Sequence, residues 1–374
     1  MKLTLLKRGR GMNTSNSNRA GLHRSNGRWA ALALAALTAS APALTLAQGF
    51  YQLESALPLK GAAPGWDYLS FEPARSHLFI GRRQDGVTVY DTQSGKVVGS
   101  IENSQGANMA TLVSKFDRGY TTNGDGSTTV FQLSTLKTID RIKLGESADA
   151  AYFEPVTGQL AFMMGDDKQI TFVDAASGAI TGKLALKSEK IEAGAADGQG
   201  NLFVSLRDRN EVIRIDARKR QVTAEWKTQG CEQPTGLAFD AANKRIFAGC
   251  RGNSPVLAVL DAETGKVVAT PVIGRGNDGV VFDAETHRIY TSNGVDANIV
   301  IYDQVDPNTY KLKEAVTTRP VARTMALDPA SKKLYTVTAE GVVDPSQPVN
   351  RAAAPFYPNR YFDDTFTLLT YSLR

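Results

Sequence analysis

The feature that most restricts this chain is an internal repeat. One phrase recurs: an apolar residue, an acidic residue, a short turn, then an apolar triplet. It reads Phe71-Glu72-Pro73 to Leu78-Phe79-Ile80, and Phe153-Glu154-Pro155 to Leu160-Ala161-Phe162. It returns at Phe239-Asp240, Phe282-Asp283 and Leu327-Asp328-Pro329, with weaker copies at Leu112-Val113 and Ala196-Asp197. A second phrase follows each copy, an alternating strand that usually ends in Asp and enters a turn. Its ends fall at Asp91, Gln132, Asp174, Asp216, Asp261, Asp303 and Ser372, giving spacings of 41, 42, 42, 45, 42 and 69. Turns such as Asp91 to Gly95, Asp174 to Gly178 and Asp261 to Gly265 carry hairpin chemistry, and a fourth strand such as Lys96-Val97-Val98 follows.

Four antiparallel strands per unit and seven units predict an all-β, seven-bladed β-propeller. A solenoid repeat is shorter with fewer hairpins, and sandwiches lack so regular a period. Phe366 to Ser372 reads as a third strand without its fourth, and Tyr51 to Leu57 as a strand without a preceding partner. Pairing these N- and C-terminal strands completes blade seven and removes the exposed edges. The long last spacing places a Pro-rich insertion at about 340–365, between strands two and three of that blade. It contains Pro345, Pro348, Pro355, Pro358 and Tyr357, and is read as a lid or a surface excursion.

Charge has to be read with the first segment in view. The whole chain has 374 residues, with 43 basic against 38 acidic, for +5. Lys2, Lys7, Arg8, Arg10, Arg19, Arg24 and Arg28 precede the apolar run Trp29 to Leu37, and small residues lead to Ala47. That order predicts a secretory signal peptide over residues 1–47, starting at Met1 or Met12 and cleaved after Ala47 or Ala43. Its seven basic and no acidic residues leave 36 against 38 in residues 48–374, or −2 for a single propeller domain. This weighs against nucleic acid as a partner. No later run reaches eighteen apolar residues, so no membrane span is expected in the mature form. Export permits a disulfide, and Cys231 and Cys250 lie nearly opposite each other across one hairpin.

The segments Arg288-Ile289-Tyr290-Thr291-Ser292-Asn293, Ile299 to Asp303 and Lys333 to Val337 resemble the YVTN-type β-propeller repeats of exported bacterial proteins. The resemblance spans essentially the mature chain and implies a propeller in the periplasm; members of that family differ in role. WD-repeat features are missing: Trp66-Asp67 opens an inner strand, and no Gly-His pair occurs.

Propeller ligands sit at a channel mouth, where loops entering strand one meet loops joining strands two and three. Four residues before the apolar residue of the first phrase, the blades carry Asp67, Asn108, Asp149, Glu192, Thr235, Asp278 and Arg323, all polar. The end of strand two offers Arg82, Asn123, Met164, Arg207, Cys250, Asn293 and Thr338, with Arg83, Arg251 and Arg275 nearby. Two readings compete: a solvated funnel of mutually neutralised charges, or a ligand site. The second would hold Ca2+ or another divalent cation at Asp67, Asp149 and Asp278, or orient a polar molecule with Arg-Asp pairs. No catalytic fingerprint occurs, and His77 and His287 belong to different blades. The expected function is a periplasmic, monomeric, non-catalytic binding or scaffold protein. It would recognise a small polar ligand or a protein partner at this mouth. The alternative is a divalent-metal-dependent lactonase-like hydrolase using the acidic ring, so enzymatic activity is left open.

Overall fold

The computed structural model describes residues 49–61, 65–348 and 358–374. The expected signal peptide and Tyr357 lie outside the described residues. Seven four-stranded antiparallel sheets follow one another along the chain, as the repeat requires. Among the described residues the only helical pieces are two short 3-10 turns, Ser114–Phe116 and Arg207–Arg209.

Blade one is built from Leu69–Glu72, His77–Gly81, Val87–Asp91 and Lys96–Ile101, and the next five blades repeat that order. Blade seven takes Met325–Leu327, Leu334–Thr338 and Thr367–Leu373 from the C-terminal end and Tyr51–Pro58 from the N-terminal end. Tyr51 pairs with Leu373 and Pro58 with Thr367, so the expected closure is realised. The Tyr51 hydroxyl strengthens it by donating to the Lys332 carbonyl oxygen at 2.8 Å.

The core lies in the seams between blades. Alternating side chains give each strand one face toward either neighbour, and seven apolar clusters result, one per seam. The apolar residue of the repeated phrase packs on an aromatic ring of the preceding blade. Phe239 meets Phe203 at 5.1 Å between ring centroids, Phe282 meets Phe247 at 5.2 Å, and Phe71 stacks on Tyr335 at 6.3 Å.

The Asp that closes strand three organises the next turn. Asp174 accepts from the Ser177 backbone N–H at 2.8 Å, and the Gly178 N–H closes the turn on the Asp174 carbonyl oxygen. Gly178 has φ 81°, a left-handed backbone that glycine adopts without a Cβ clash. Cys231 and Cys250 form the expected disulfide, with Cα atoms 5.5 Å apart and both residues buried.

The insertion leaves blade seven as a short ribbon, Gly341–Val342 pairing with Arg360–Tyr361. Tyr361 packs edge-on against buried Trp66 at 5.2 Å. The base of the insertion therefore stands beside the start of the blade-one inner strand, where Asp67 lies.

Candidate functional site

Each inner strand begins at the same channel mouth, so the polar column converges there. Asp67 is bound by Arg83 Nη2 at 2.6 Å and faces Arg323 Nη2 at 3.6 Å. Arg323 turns its Nε to Asp278 at 2.7 Å, and Arg251 pairs with the other Asp278 oxygen. Glu192 pairs with Arg207 Nη1 at 3.0 Å. Ion pairs thus join Asp67, Arg323, Asp278 and Arg251 across blades one, seven, six and five, with Glu192–Arg207 in blade four.

Asp149 of blade three breaks that pattern. No ion pair or hydrogen bond to its carboxylate is present among the described residues, although its backbone is fixed by Met163 and Thr122. Strand two supplies the reason. It ends at Met164, Leu206 and Cys250 in blades three, four and five. The next residue is an arginine in blades four and five, and Arg83 is its equivalent in blade one. In blade three it is Gly165, where a Cβ would lie 2.8 Å from the Glu189 carbonyl oxygen. Blade three therefore has no room for the arginine that blades one, four and five carry.

The electrostatics follow the geometry. Burial pushes the Asp149 carboxyl up to about 8, helped by the charges of Asp67, Glu192 and Asp278 and opposed by Arg83. At neutral pH a proton takes the place that a guanidinium fills at the other acids. Burial also raises Asp67, with Arg323 opposing, and Glu192, with Arg207 and Arg251 opposing.

Two tyrosines that the polar column did not include complete this arc. Tyr68, just before the inner strand of blade one, and Tyr152, on that of blade three, are half-buried and join one apolar cluster with Met109. Burial raises both phenols, and the Asp149 charge adds to the rise. The Tyr68 hydroxyl, like the Asp149 carboxylate, has no hydrogen-bond partner among the described residues. Tyrosine at repeat positions otherwise filled by Ala, Gly, Ser, Thr, Val or, in blade two, Met109 was the available signal.

Other expected residues serve the frame. Arg82 donates to the Lys60 carbonyl oxygen at 2.8 Å, pairs with Asp85 at 3.0 Å and lies over the Phe366 ring at 4.4 Å. It clamps the seam of blades seven and one, while Arg83, one residue later, reaches the mouth. Arg207 likewise stands one residue beyond its assigned column, because strand two ends at Leu206. Asn293 is fully buried within blade six, donating to the Thr291 carbonyl oxygen and to Asn298 Oδ1. Asn108 donates to the Ala148 carbonyl oxygen at 3.0 Å and ties blade two to blade three. Arg275 forms an exposed pair with Asp296 at 2.7 Å.

Among the described residues no three His, Cys, Asp or Glu side chains are grouped to hold a metal ion. Of the expected cation ligands, Asp67 and Asp278 are instead occupied by arginines, and Asp149 stands without either. Among these residues no helix is long and apolar enough to cross a membrane.

No protein-family model and no curated protein matches the sequence. Solved structures do match in shape. RRP9 WD40 repeats superpose with a TM-score of 0.70 at 10% identity, covering 87% of this chain and 100% of that one. A chain of the mitotic checkpoint complex gives 0.66 at 16%, covering 83% and 95%. A chain of Kuenenia stuttgartiensis hydrazine synthase gives 0.62 at 17%, covering 74% and 94%. At these identities the likeness establishes the fold alone: the chain is a seven-bladed β-propeller of the WD40-like shape, built without the WD motif.

Proposed function

We propose that residues 1–47 are an export signal and that residues 48–374 form one periplasmic propeller, of the kind its YVTN-like repeats suggest. In this reading it is a monomeric, non-catalytic binding protein for a small polar ligand at the channel mouth. One observation carries it: among the described residues a carboxyl and a phenol, Asp149 and Tyr68, stand at the mouth without a hydrogen-bond or ion-pair partner, while the other three ring acids are ion-paired. Both residues are only half-buried, so their polar atoms stay open to the channel and to an incoming ligand. A cluster that keeps two such groups side by side has the chemistry of a recognition site.

A thermal-shift screen of the mature protein against sugars, nucleotides, lactones, amines and metal ions tests this reading. A ligand of the folded form raises the midpoint by mass action, and a mouth ligand loses that effect in Asp149→Asn. Calcium-dependent lactone turnover abolished by Asp278→Ala would establish the hydrolase instead. N-terminal sequencing of the exported protein beginning at Gln48 supports the signal peptide; retention of residue 1 refutes it.

A further inference from the structure

Resting on the ligand-binding reading above, we propose that the ligand is a small organic cation whose ammonium group pairs with the Asp149 carboxylate beside the rings of Tyr68 and Tyr152. The ring of acids shows the rule that this position breaks. Asp67, Glu192 and Asp278 each hold a guanidinium, drawn from Arg83, Arg207, Arg251 or Arg323. Asp149 has none among the described residues: where blades one, four and five carry arginine, blade three has Gly165, packed against the Glu189 carbonyl. A cation supplied by a ligand completes the series.

The surroundings fit that charge. Three acids act on Asp149 against one arginine, Arg83, whose side chain is 49% exposed and screened by solvent. Tyr68 and Tyr152 contribute aromatic surface, and ring faces attract ammonium groups by about 0.5–2 kcal/mol. Met109 adds an apolar wall suited to a short alkyl chain. An anionic ligand would meet an unpaired carboxyl and guanidinia already held by other carboxylates. A neutral ligand would leave the Asp149 proton in place, whereas an ammonium group takes that proton's position as the guanidinia do at the other acids.

The test is calorimetric titration of the mature protein with n-butylammonium and tetramethylammonium, using 1-butanol and butanoate as isosteric controls. Both ammonium probes should bind, the controls should not, and Asp149→Asn should weaken binding by at least about tenfold. Asparagine already occupies this column as Asn108, so the variant is sterically ordinary. Tyr68→Ala should weaken binding by about threefold or more. Ammonium binding unchanged in Asp149→Asn overturns the proposal. Asp149-dependent binding of butanoate or butanol in place of the amines also overturns it but leaves the ligand-site reading standing. If no amine, sugar, nucleotide or lactone binds at the mouth, both fall.

Discussion

The two ends of the blades handle buried acids in opposite ways. At the turn end, acids are satisfied locally. Glu154 accepts from the Thr157 N–H at 2.7 Å, and Asp240 from the Ala242 N–H at 3.0 Å. Hydrogen bonds from Thr286 and Lys332 pull Asp283 down although burial opposes them, and the Ser177 hydroxyl lowers Asp174. At the mouth, burial instead raises Asp67, Asp149 and Glu192. Partners there come mainly from arginines one residue beyond strand two, and blade three supplies none. Similar chemistry at one end builds acidic turns in six blades, Val113 standing in the seventh copy; divergence at the other leaves one acid exceptional.

The largest test of this contrast is Arg323→Ala, which strips a counter-ion from both Asp67 and Asp278. Breaking a buried pair costs about 3–5 kcal/mol, read as a fall in the denaturant midpoint at constant slope. Next is Asp240→Ala, at the turn end. It leaves Gln304 Nε2 and Asn243 Nδ2 without their 3.0 and 2.8 Å acceptor, for a loss of about 2–3 kcal/mol by the same measurement. Asp261→Ala removes acceptors for Glu263 and Thr264 in a more open turn and should cost about 1 kcal/mol. Arg360→Ala, in the exposed Arg360–Asp344 pair of the insertion, should leave the melting temperature unchanged. A larger loss at Asp261 than at Arg323 would reverse the ranking of the two ends.

The same contrast explains what could be read from residues alone. Blade number, closure and the disulfide follow from spacing, because most turns repeat an acidic hydrogen-bond device and three seams the same aromatic contact. The polar column was legible too, since seven inner strands start in one register. The arginines were harder. Arg82 and Arg83 are adjacent, and backbone alternation sends one into a seam and the other to the mouth; only the cross-strand register separates them. Arg207 was misplaced by one residue because blade four ends strand two on an apolar Leu206 and follows it with a 3-10 turn. Asp149 looked like its neighbours until Gly165 showed that the equivalent arginine was absent.

The central claim, that Asp149 is the one ring acid without a partner, is tested most directly by unfolding wild type and Asp149→Asn across pH. A carboxyl with a folded value near 8 binds a proton that the unfolded chain has released above about 4. Wild type should therefore lose stability relative to the variant as pH rises through that window. The two proteins should be nearly equal near pH 4, and the variant should lead by up to a few kcal/mol near pH 8. A difference that does not change with pH, or a wild type that gains on the variant as pH rises, would show that Asp149 is ion-paired after all.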